Sequence, residues 1–580
     1  MTGWIGKIIR IDLSAMQVCI EHPEPEILYQ WIGGRGIAGF YISPWIHKEW
    51  NDPDMPLCLF TGPLVGTTSP TSGRMTIMSK SPLTGTIGDS SVGGRFGTYL
   101  KRAGWDGVII TGQFNGLCGI EIENEHVRIQ RVEHLTGMST SQAFERLKDK
   151  GSVALIGPAA EKGVRFSNII IDKHFAAGRN GLGLIFANKH IKYISVKGSG
   201  KVPIHDKKVM KKAREDIFRL VAASPILLGE HGIANYGTGA LYDLMNVRRM
   251  MPTSNFHKTY FEAADSMNAW TYHQRYSPQK TGCRGCHIQC KQKIMNTALP
   301  EFETMSHFSA LIDNKDTDIV VEANRLCNDL GMDTISAAST LACYQELSGT
   351  SIQSNKILTY LIDIANAKGV GKDLGMGAGR LANLYGRPEC AMTVKNQELP
   401  AYDPRGSYGM ALSYVLSTRG GCHLRAYPIS HEILRKPVAT DRFSLSGKAR
   451  IIKIAEDMFA VVDSLTACKF VFFAASLEEY ALLFKAVTGV ETSAHDLLKI
   501  GERICFHERI MNAKNGFTAK DDDLPDRFFT HQGSDGHGIH INPIDREDFL
   551  NARNAYYQIR GLTNDGMPIK KKAEDLGLNF

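Results

Sequence analysis

The sequence predicts an α+β protein, with a β-rich segment over residues 1–202 followed by two mainly α-helical segments, 203–392 and 393–580. Three observations carry this. Short runs of alternating apolar and polar residues, the period of a half-buried strand, concentrate before residue 202 between glycine-rich loops. Beyond it, apolar residues recur at helical spacing, bracketed by start and stop signals. A chain of 580 residues with 43% hydrophobic and 22% charged content suits a soluble enzyme of several domains.

In the first segment, residues 8–13, 107–111, 119–122 and 126–129 read as strands, and 26–31 and 141–149 as helices. Residues 33–39, 71–74, 90–97 and 176–183 read as glycine-rich loops. Gly34-Arg35-Gly36-Ile37-Ala38-Gly39 matches G-x-G-x-x-G, but a helix and not a strand enters it, which argues against a dinucleotide site. In the second segment, 206–223 is a charged helix. Residues 317–330 put Ile319, Val320, Ala323, Leu326, Cys327 and Leu330 on one face, and Gly331 is the stop. A boundary near 392 precedes Leu399-Pro400-Ala401-Tyr402. In the third segment, Ser476 and Glu479 form a capping box for a helix ending at Gly489, and 494–512 is amphipathic.

Charge and cysteine usage narrow the function. A net charge of +7 and a pI near 8.6 are too mild for a nucleic-acid footprint and compatible with an acidic redox partner. Nine of the 12 cysteines are scattered without a disulfide pattern, so a reducing compartment is expected. No signal-peptide core opens the chain and no apolar run has membrane-spanning length, which predicts a cytoplasmic protein.

The remaining three cysteines, Cys283, Cys286 and Cys290, form a C-x2-C-x3-C triplet. Three thiols in eight residues point to a metal centre, and soft thiolate ligands favour a [4Fe-4S] cluster. His287 inside the loop leaves a Cys3His zinc site as the alternative. Spacing does not separate Cys422 from Cys468 as fourth ligand; Cys505 lies on an apolar helix face and reads as core. Residues 72–74, 91–94 and 176–181 combine small residues with arginine or free amides and could cradle an anion. The hexapeptides 328–333 and 463–468 both open on a carboxylate or its amide, either as helix-end caps or as acceptors for a heterocycle. Glu301, Glu303 and His423 are acid–base candidates beside a redox centre, set against a surface Glu and a packed His.

Together these features resemble the tungsten-containing aldehyde:ferredoxin oxidoreductase family nearly end to end. The match rests on Gly34-Arg35-Gly36, Gly62-Pro63-Leu64, residues 81–85, Ala177-Gly178-Arg179, the triplet, 399–406, and Arg419-Gly420-Gly421-Cys422-His423. The resemblance implies a β-rich base domain carrying two molybdopterin-type dithiolene cofactors, covered by two helical domains. The metal, tungsten or molybdenum, is held by dithiolene sulfurs, and Mg2+ bridges the pterin phosphates. It implies that Arg74, Ser91, Gly93, Ala176, Gly178 and Arg179 line the phosphates. Asn328, Met332 and Asp333 would bind one pterin, and Asp463, Ala467 and Lys469 the other, with Arg419 and Arg425 in the same lining. Cys468 becomes the fourth cluster ligand beside Cys283, Cys286 and Cys290.

The chain departs from the family pattern at Ser91 (usually Asn), Phe175 (often Arg), Asn328 (usually Asp), Thr466-Ala467 (usually Gly-Leu) and Arg425 (usually Lys). Glu322 matches one ligand of an interface iron found in some members, but Thr359 stands where the His would be, so no such iron is expected. The implied reaction oxidises an aldehyde to a carboxylic acid. Glu303 would activate water or orient the substrate, and His423 would polarise the carbonyl. Electrons would leave through the cluster to ferredoxin or an iron–sulfur subunit, in a homodimer or hetero-oligomer. The alternatives are reduction of a carboxylate or aryl-CoA thioester on the same scaffold, since 311–315 replaces a glycine-rich run, and a zinc-stabilised binding protein.

Overall fold

Alternation along the N-terminal strands sorts their side chains between two cores. In the strand Leu57–Phe60, Leu57 and Leu59 join one apolar cluster while Cys58 and Phe60 join another. Period-two geometry requires this when both faces of a sheet are covered. The computed structural model describes all 580 residues. Its first sheet comprises β1 (Ile8–Asp12), β2 (Gln17–Glu21), β3 (Leu57–Phe60), β4 (Met75–Lys80), β5 (Ile87–Val92) and β6 (Gly107–Thr111), in the order β2-β1-β6-β3-β4-β5. Only β1 and β6 pair in parallel.

The second sheet comprises β7 (Cys118–Glu123), β8 (His126–Arg131), β9 (Ser152–Ile156), β10 (Ile169–Ile171), β11 (Phe175–Ala177) and β12 (Ile191–Lys197), in the order β11-β10-β9-β12-β7-β8. One face of each sheet meets in a shared core: Ile9, Ile11, Leu57, Leu59 and Ile77 from the first, Ile120, Ile122, Ala154, Ile156 and Ile194 from the second. The other face of the first sheet meets the helix Gly34–Ile42 and the helical body. Each fully buried Leu or Ile contributes roughly 1.5–3 kcal/mol, so this sorting fixes the strand register strongly.

Residues 33–39 are not a loop. Gly34–Ile42 is a helix, which agrees with the absence of a dinucleotide turn. The glycines serve close packing, because the chain 463–466 lies directly on this helix and on Gly62. A Cβ on Gly62 would sit 2.3 Å from the Leu465 carbonyl oxygen, and its amide donates to Thr466 Oγ1 at 3.0 Å. The expected loops 90–97 and 176–183 are shorter than read from sequence. Ser90–Val92 lies in β5, Ala176–Ala177 in β11, and the helices Phe96–Arg102 and Leu182–Asn188 take up their ends.

Beyond residue 202 the chain is mainly helical. The helix Lys207–Ala222 is capped by Asp206, and Thr317–Leu330 ends at Gly331 with φ 79°. The Ser476–Glu479 capping box opens Leu477–Thr488, which Gly489 ends. The longest helix is Ala494–Lys514. A small antiparallel sheet, not expected from the sequence, interrupts the helices. It consists of β13 (Gln279–Thr281), β14 (Lys291–Ile294) and β15 (Thr297–Ala298), and it closes the cysteine loop at its neck through the Thr281–Lys291 pair. No single helix is long and apolar enough to cross a membrane.

Candidate active site

The cysteine loop is built from tight local turns. The Cys286 amide donates to the Cys283 carbonyl at 3.1 Å, and Gly285 (φ 70°) and Gln289 (φ 49°) reverse the chain. The loop rests on the glycine-rich segments of the base domain: a Cβ on Gly93 would come 2.4 Å from Cys283 Sγ and 3.2 Å from the Phe175 ring. Cys468 arrives from elsewhere. The helix Lys448–Leu465 ends where Thr466 adopts φ 53°, and the Cys468 amide then donates to the Thr71 carbonyl at 3.0 Å. Cys283, Cys286, Cys290 and Cys468 thus line one cavity of about 370 Å3. Cys422 does not reach it. Its Sγ accepts from Arg419 Nη2 at 2.9 Å and from the Leu424 amide at 3.2 Å. Cys505 is core, as expected.

The same cavity is lined by Arg74, Ser91, Gly93, Ala176, Gly178, Arg179, Asn328, Met332, Asp333, Arg419, Asp463, Ala467 and Lys469, and by Glu303 and His423. Arg425 is the exception. It lies behind the wall, bonded to Asp89 and 3.6 Å from Glu508. Ser91 orients Arg74. The Ser91 Oγ and carbonyl accept from it at 2.9 and 2.7 Å, which aims the guanidinium. Burial works against the Arg74 charge, but the nearby thiols of Cys468 and Cys283 outweigh it and raise its pKa. Arg179 is clamped by Asp333 (3.0 Å) and the Glu398 carbonyl (2.9 Å), which leaves Nη1 without a partner.

The two hexapeptides are not equivalent. Both dock on the base domain through backbone; for example, the Asp333 amide donates to the Phe166 carbonyl at 3.0 Å and Thr76 Oγ1 to the Asp463 carbonyl at 3.2 Å. The Asp333 carboxylate is already engaged, by the Ile335 amide, Ser336 Oγ and Arg179. Asn328 spends its amide hydrogens on Asn324. Asp463 differs: Oδ2 takes Lys469 at 2.9 Å while the buried Oδ1 has no partner. Burial lowers the Lys469 pKa, and Asp463 opposes that fall.

Glu303 is on the helix Phe302–Phe308, and His423 is on the loop after Arg419. Glu303 is no surface residue, being 17% exposed, with His423 Nε2 3.4 Å from its Oε1. The Ala401 amide donates to its Oε2 at 2.7 Å. Burial pushes the Glu303 pKa up to about 8, with the Ala401 bond only partly offsetting it. Burial, together with Arg179 and Arg419, holds the His423 pKa well below its usual value, so the ring is neutral. His423 Nδ1 has no partner in the protein, so the tautomer that carries its hydrogen there has a donor free for a ligand. Glu301 is engaged instead by Lys291, at 2.8 Å.

The wall therefore presents both donors (Arg179 Nη1, His423 Nδ1) and acceptors (Asp463 Oδ1, Asn168 Oδ1) that are buried and unmatched. Such groups are costly unless a ligand completes them. A Cβ on Gly178 would meet nothing nearer than Ala176 at 3.8 Å, so the backbone lies open to the cavity there. This donor set fits a heterocycle with amino and keto edges and an anionic arm, as in the pterin phosphate that the family resemblance implies. No group of three His, Cys, Asp or Glu side chains is placed to hold a single metal ion.

Family models decide the relationship. The N-terminal domain of aldehyde ferredoxin oxidoreductase matches residues 8–198, and domains 2 and 3 match residues 212–578. The chain belongs to the aldehyde ferredoxin oxidoreductase family. It is 35% identical to the tungsten-containing aldehyde ferredoxin oxidoreductase of Pyrococcus furiosus and 36% identical to that of Thermococcus kodakarensis, each over 100% of this chain and 99% of the relative. It is 24% identical to the WOR-like subunit of an aliphatic sulfonate oxidoreductase from P. furiosus, over 100% and 97%. Among solved structures, the active-site complex BamBC of benzoyl coenzyme A reductase, in complex with 1,5 dienoyl-CoA, aligns with a TM-score of 0.83. It does so at 19% identity over 100% of this chain and 97% of that one, a likeness of fold.

Sequence reasoning missed the charged layer beneath the cavity wall of this chain. Glu508 accepts from Arg35 at 2.6 and 2.7 Å and lies 3.6 Å from Arg425; Asp89 holds Arg425 and lies 3.6 Å from Arg419. Burial would raise the Asp89 pKa, but Arg425 and Arg419 together bring it below the usual carboxylate range. The available signal was a run of polar residues between apolar ones, as in Cys505-Phe506-His507-Glu508-Arg509-Ile510-Met511. Removing one member of such a buried set strands the others. Glu508→Ala is expected to cost about 3–5 kcal/mol, read as a lower midpoint of thermal unfolding. A midpoint unchanged from wild type would show that Arg35 and Arg425 do not depend on it.

Proposed function

We propose that the protein is a tungsten-dependent oxidoreductase that oxidises an aldehyde to a carboxylic acid. It passes electrons through a [4Fe-4S] cluster to ferredoxin or an iron–sulfur partner subunit. The observation that carries the reading is that one cavity is shared by four thiols, by both helix-end hexapeptides and by the Glu303–His423 pair. One water oxygen is added to the carbonyl carbon, and two protons and two electrons leave. Tungsten held by two pterin dithiolenes supplies the two-electron couple.

The chain's own residues do the rest. Arg74, aimed by Ser91, and Arg179, clamped by Asp333, would hold the pterin phosphates together with Mg2+. Asp463 Oδ1, buried without a partner, would accept from a pterin amino group. Met332, Asn328 and Ala467, with Arg419 and Lys469, line the cavity and would hold the rings. His423 Nδ1–H points a hydrogen bond at the substrate oxygen. Glu303, ionised near its raised pKa, takes a proton from water. Phe175 brings an apolar ring where an arginine is usual, and Lys291 Nζ, 5.5 Å from its centroid, is the nearby cation. Domain divisions near 202 and 392 belong to this reading; the gap between the matched family domains, 198 to 212, supports the first.

Protein produced with tungstate is expected to carry tungsten and about four iron atoms per chain, and to reduce a viologen dye when given an aldehyde. Zinc in place of iron and tungsten, or fully loaded protein inert to every aldehyde, would overturn the proposal.

A further inference from the structure

Between Asp265 and Glu301 the chain has no Asp or Glu. The same stretch carries three of the four cavity thiols and five cations, Arg275, Lys280, Arg284, Lys291 and Lys293. Two of these are answered from outside it, Arg275 by Asp318 and Lys291 by Glu301. The other three form no ion pair. Lys280 Nζ donates to the neutral Asn235 Oδ1 at 2.6 Å, Arg284 lies 5.4 Å over the Tyr99 ring, and Lys293 belongs to β14. Arg214 is a fourth unpaired cation. It stands 5.7 Å over Phe218, whose ring meets His287 of the cysteine loop at 4.5 Å. The tip of that loop is open, with Arg284, Gly285 and Gln289 exposed.

Apolar side chains stand in the same surface. Met295, at the turn between β14 and β15, is 83% exposed, and Trp270, on the helix Ala269–Tyr276, is 53% exposed. The Trp270 ring lies 6.1 Å from Tyr236, and the adjoining Asn235 ties this region to the small sheet by accepting from Lys280 and Gln292. A bare Trp and Met ringed by cations is the composition of a protein contact. The cations select an acidic partner. Two exposed apolar side chains are few for a permanent subunit interface, which is more hydrophobic, whereas small charged contacts suit carriers that bind and leave. The stoichiometry requires leaving. Oxidation of one aldehyde by one water releases two electrons and two protons. A one-electron carrier takes one electron, so two oxidised carriers dock in turn and depart reduced.

We infer that β13–β15 and the helix Ala269–Tyr276 form the docking face for an acidic iron–sulfur carrier protein, which binds transiently over the tip of the cysteine loop. The inference rests on the aldehyde-oxidising reading above. Its test gives the tungsten- and cluster-loaded protein an aldehyde and one of two acceptors, an acidic [2Fe-2S] ferredoxin or a viologen dye, which needs no docking face. Raising the salt from about 50 to about 500 mM is expected to lower kcat/KM for the ferredoxin by about tenfold or more. At low salt the double variant Lys280→Glu, Lys293→Glu is expected to lower it by about tenfold, and Trp270→Ala by about fivefold. Iron content and viologen reduction stay at the wild-type level in both, and Lys280→Arg with Lys293→Arg keeps the ferredoxin rate. Ferredoxin kinetics untouched by the charge reversal, a rate that does not fall with salt, or a ferredoxin complex that persists through gel filtration in about 500 mM salt would overturn the inference. If loaded protein oxidises no aldehyde with either acceptor, the oxidation reading itself fails and takes the inference with it.

Discussion

Cys468→Ala is expected to leave the chain with less than one iron atom where wild type holds about four. Aldehyde-dependent viologen reduction should fall by about two orders of magnitude or more, because the electron exit is lost with the ligand. The reason is geometric. Cys283, Cys286 and Cys290 come from one loop pinned at its neck by the Thr281–Lys291 pair, while Cys468 is delivered by a different helix end. A triplet alone leaves one corner of a cubane open. The control is Cys422→Ala. Cys422 is a buried cysteine of the third segment, yet its sulfur is bonded to Arg419 and the Leu424 amide and stays off the cavity. Iron content is expected to be retained there. Gly93→Ala should resemble the Cys468 variant in iron content, since its Cβ would press within 2.4 Å of Cys283 Sγ. Full iron in Cys468→Ala, or loss of iron in Cys422→Ala alone, would reverse the assignment of the fourth ligand. Iron analysis and the electron paramagnetic resonance signal of the reduced protein read the result without reference to turnover.

What the sequence made legible was whatever is written locally. The cysteine spacing, the capping box at Ser476 and the stop at Gly331 are each decided within a few residues, and the box and the stop are found in the structure. The hexapeptides were legible as helix ends, but their inequality was not. That Asp333 is used up by Arg179 and Ser336 while Asp463 keeps a free oxygen depends on partners 154 residues apart in the first case. The charged layer was harder still, because Arg35 and Glu508 are separated by 473 positions and nothing local to either points to the other. The helix Gly34–Ile42 is hidden in the sequence for a related reason. Its glycines answer to the carbonyls of 463–466 packed on them, and taken alone they look like a turn. Resemblance to the family supplied the long-range pairings that local chemistry leaves open.

Glu303→Gln is expected to lower kcat by about 10^2–10^4, the contribution typical of a positioned general acid–base group, with tungsten and iron unchanged. The substitution is a narrow one. Glutamine keeps an acceptor for the Ala401 amide and similar bulk, so the helix Phe302–Phe308 has no reason to move. What it removes is the titration. Burial pushes the Glu303 pKa up to about 8, so the carboxyl is mostly protonated at neutral pH and cannot take a proton from water. A base is active in its ionised form. The wild-type kcat/KM should therefore rise with pH and level off above about 8, with the apparent value belonging to the Glu303–His423 pair as a unit. The rising limb should vanish in Glu303→Gln. His423 pulls in a different direction. Its ring is kept neutral by burial and by Arg179, so it contributes as a hydrogen-bond donor and not as a charge. His423→Ala is expected to cost about 10^2–10^3 in kcat, the scale of one lost donor to a developing oxyanion, while the alkaline rise persists because Glu303 is still there to titrate. Full turnover in either loaded variant, or a pH limb that survives in Glu303→Gln, would show that proton transfer is carried by some other group on the cavity wall.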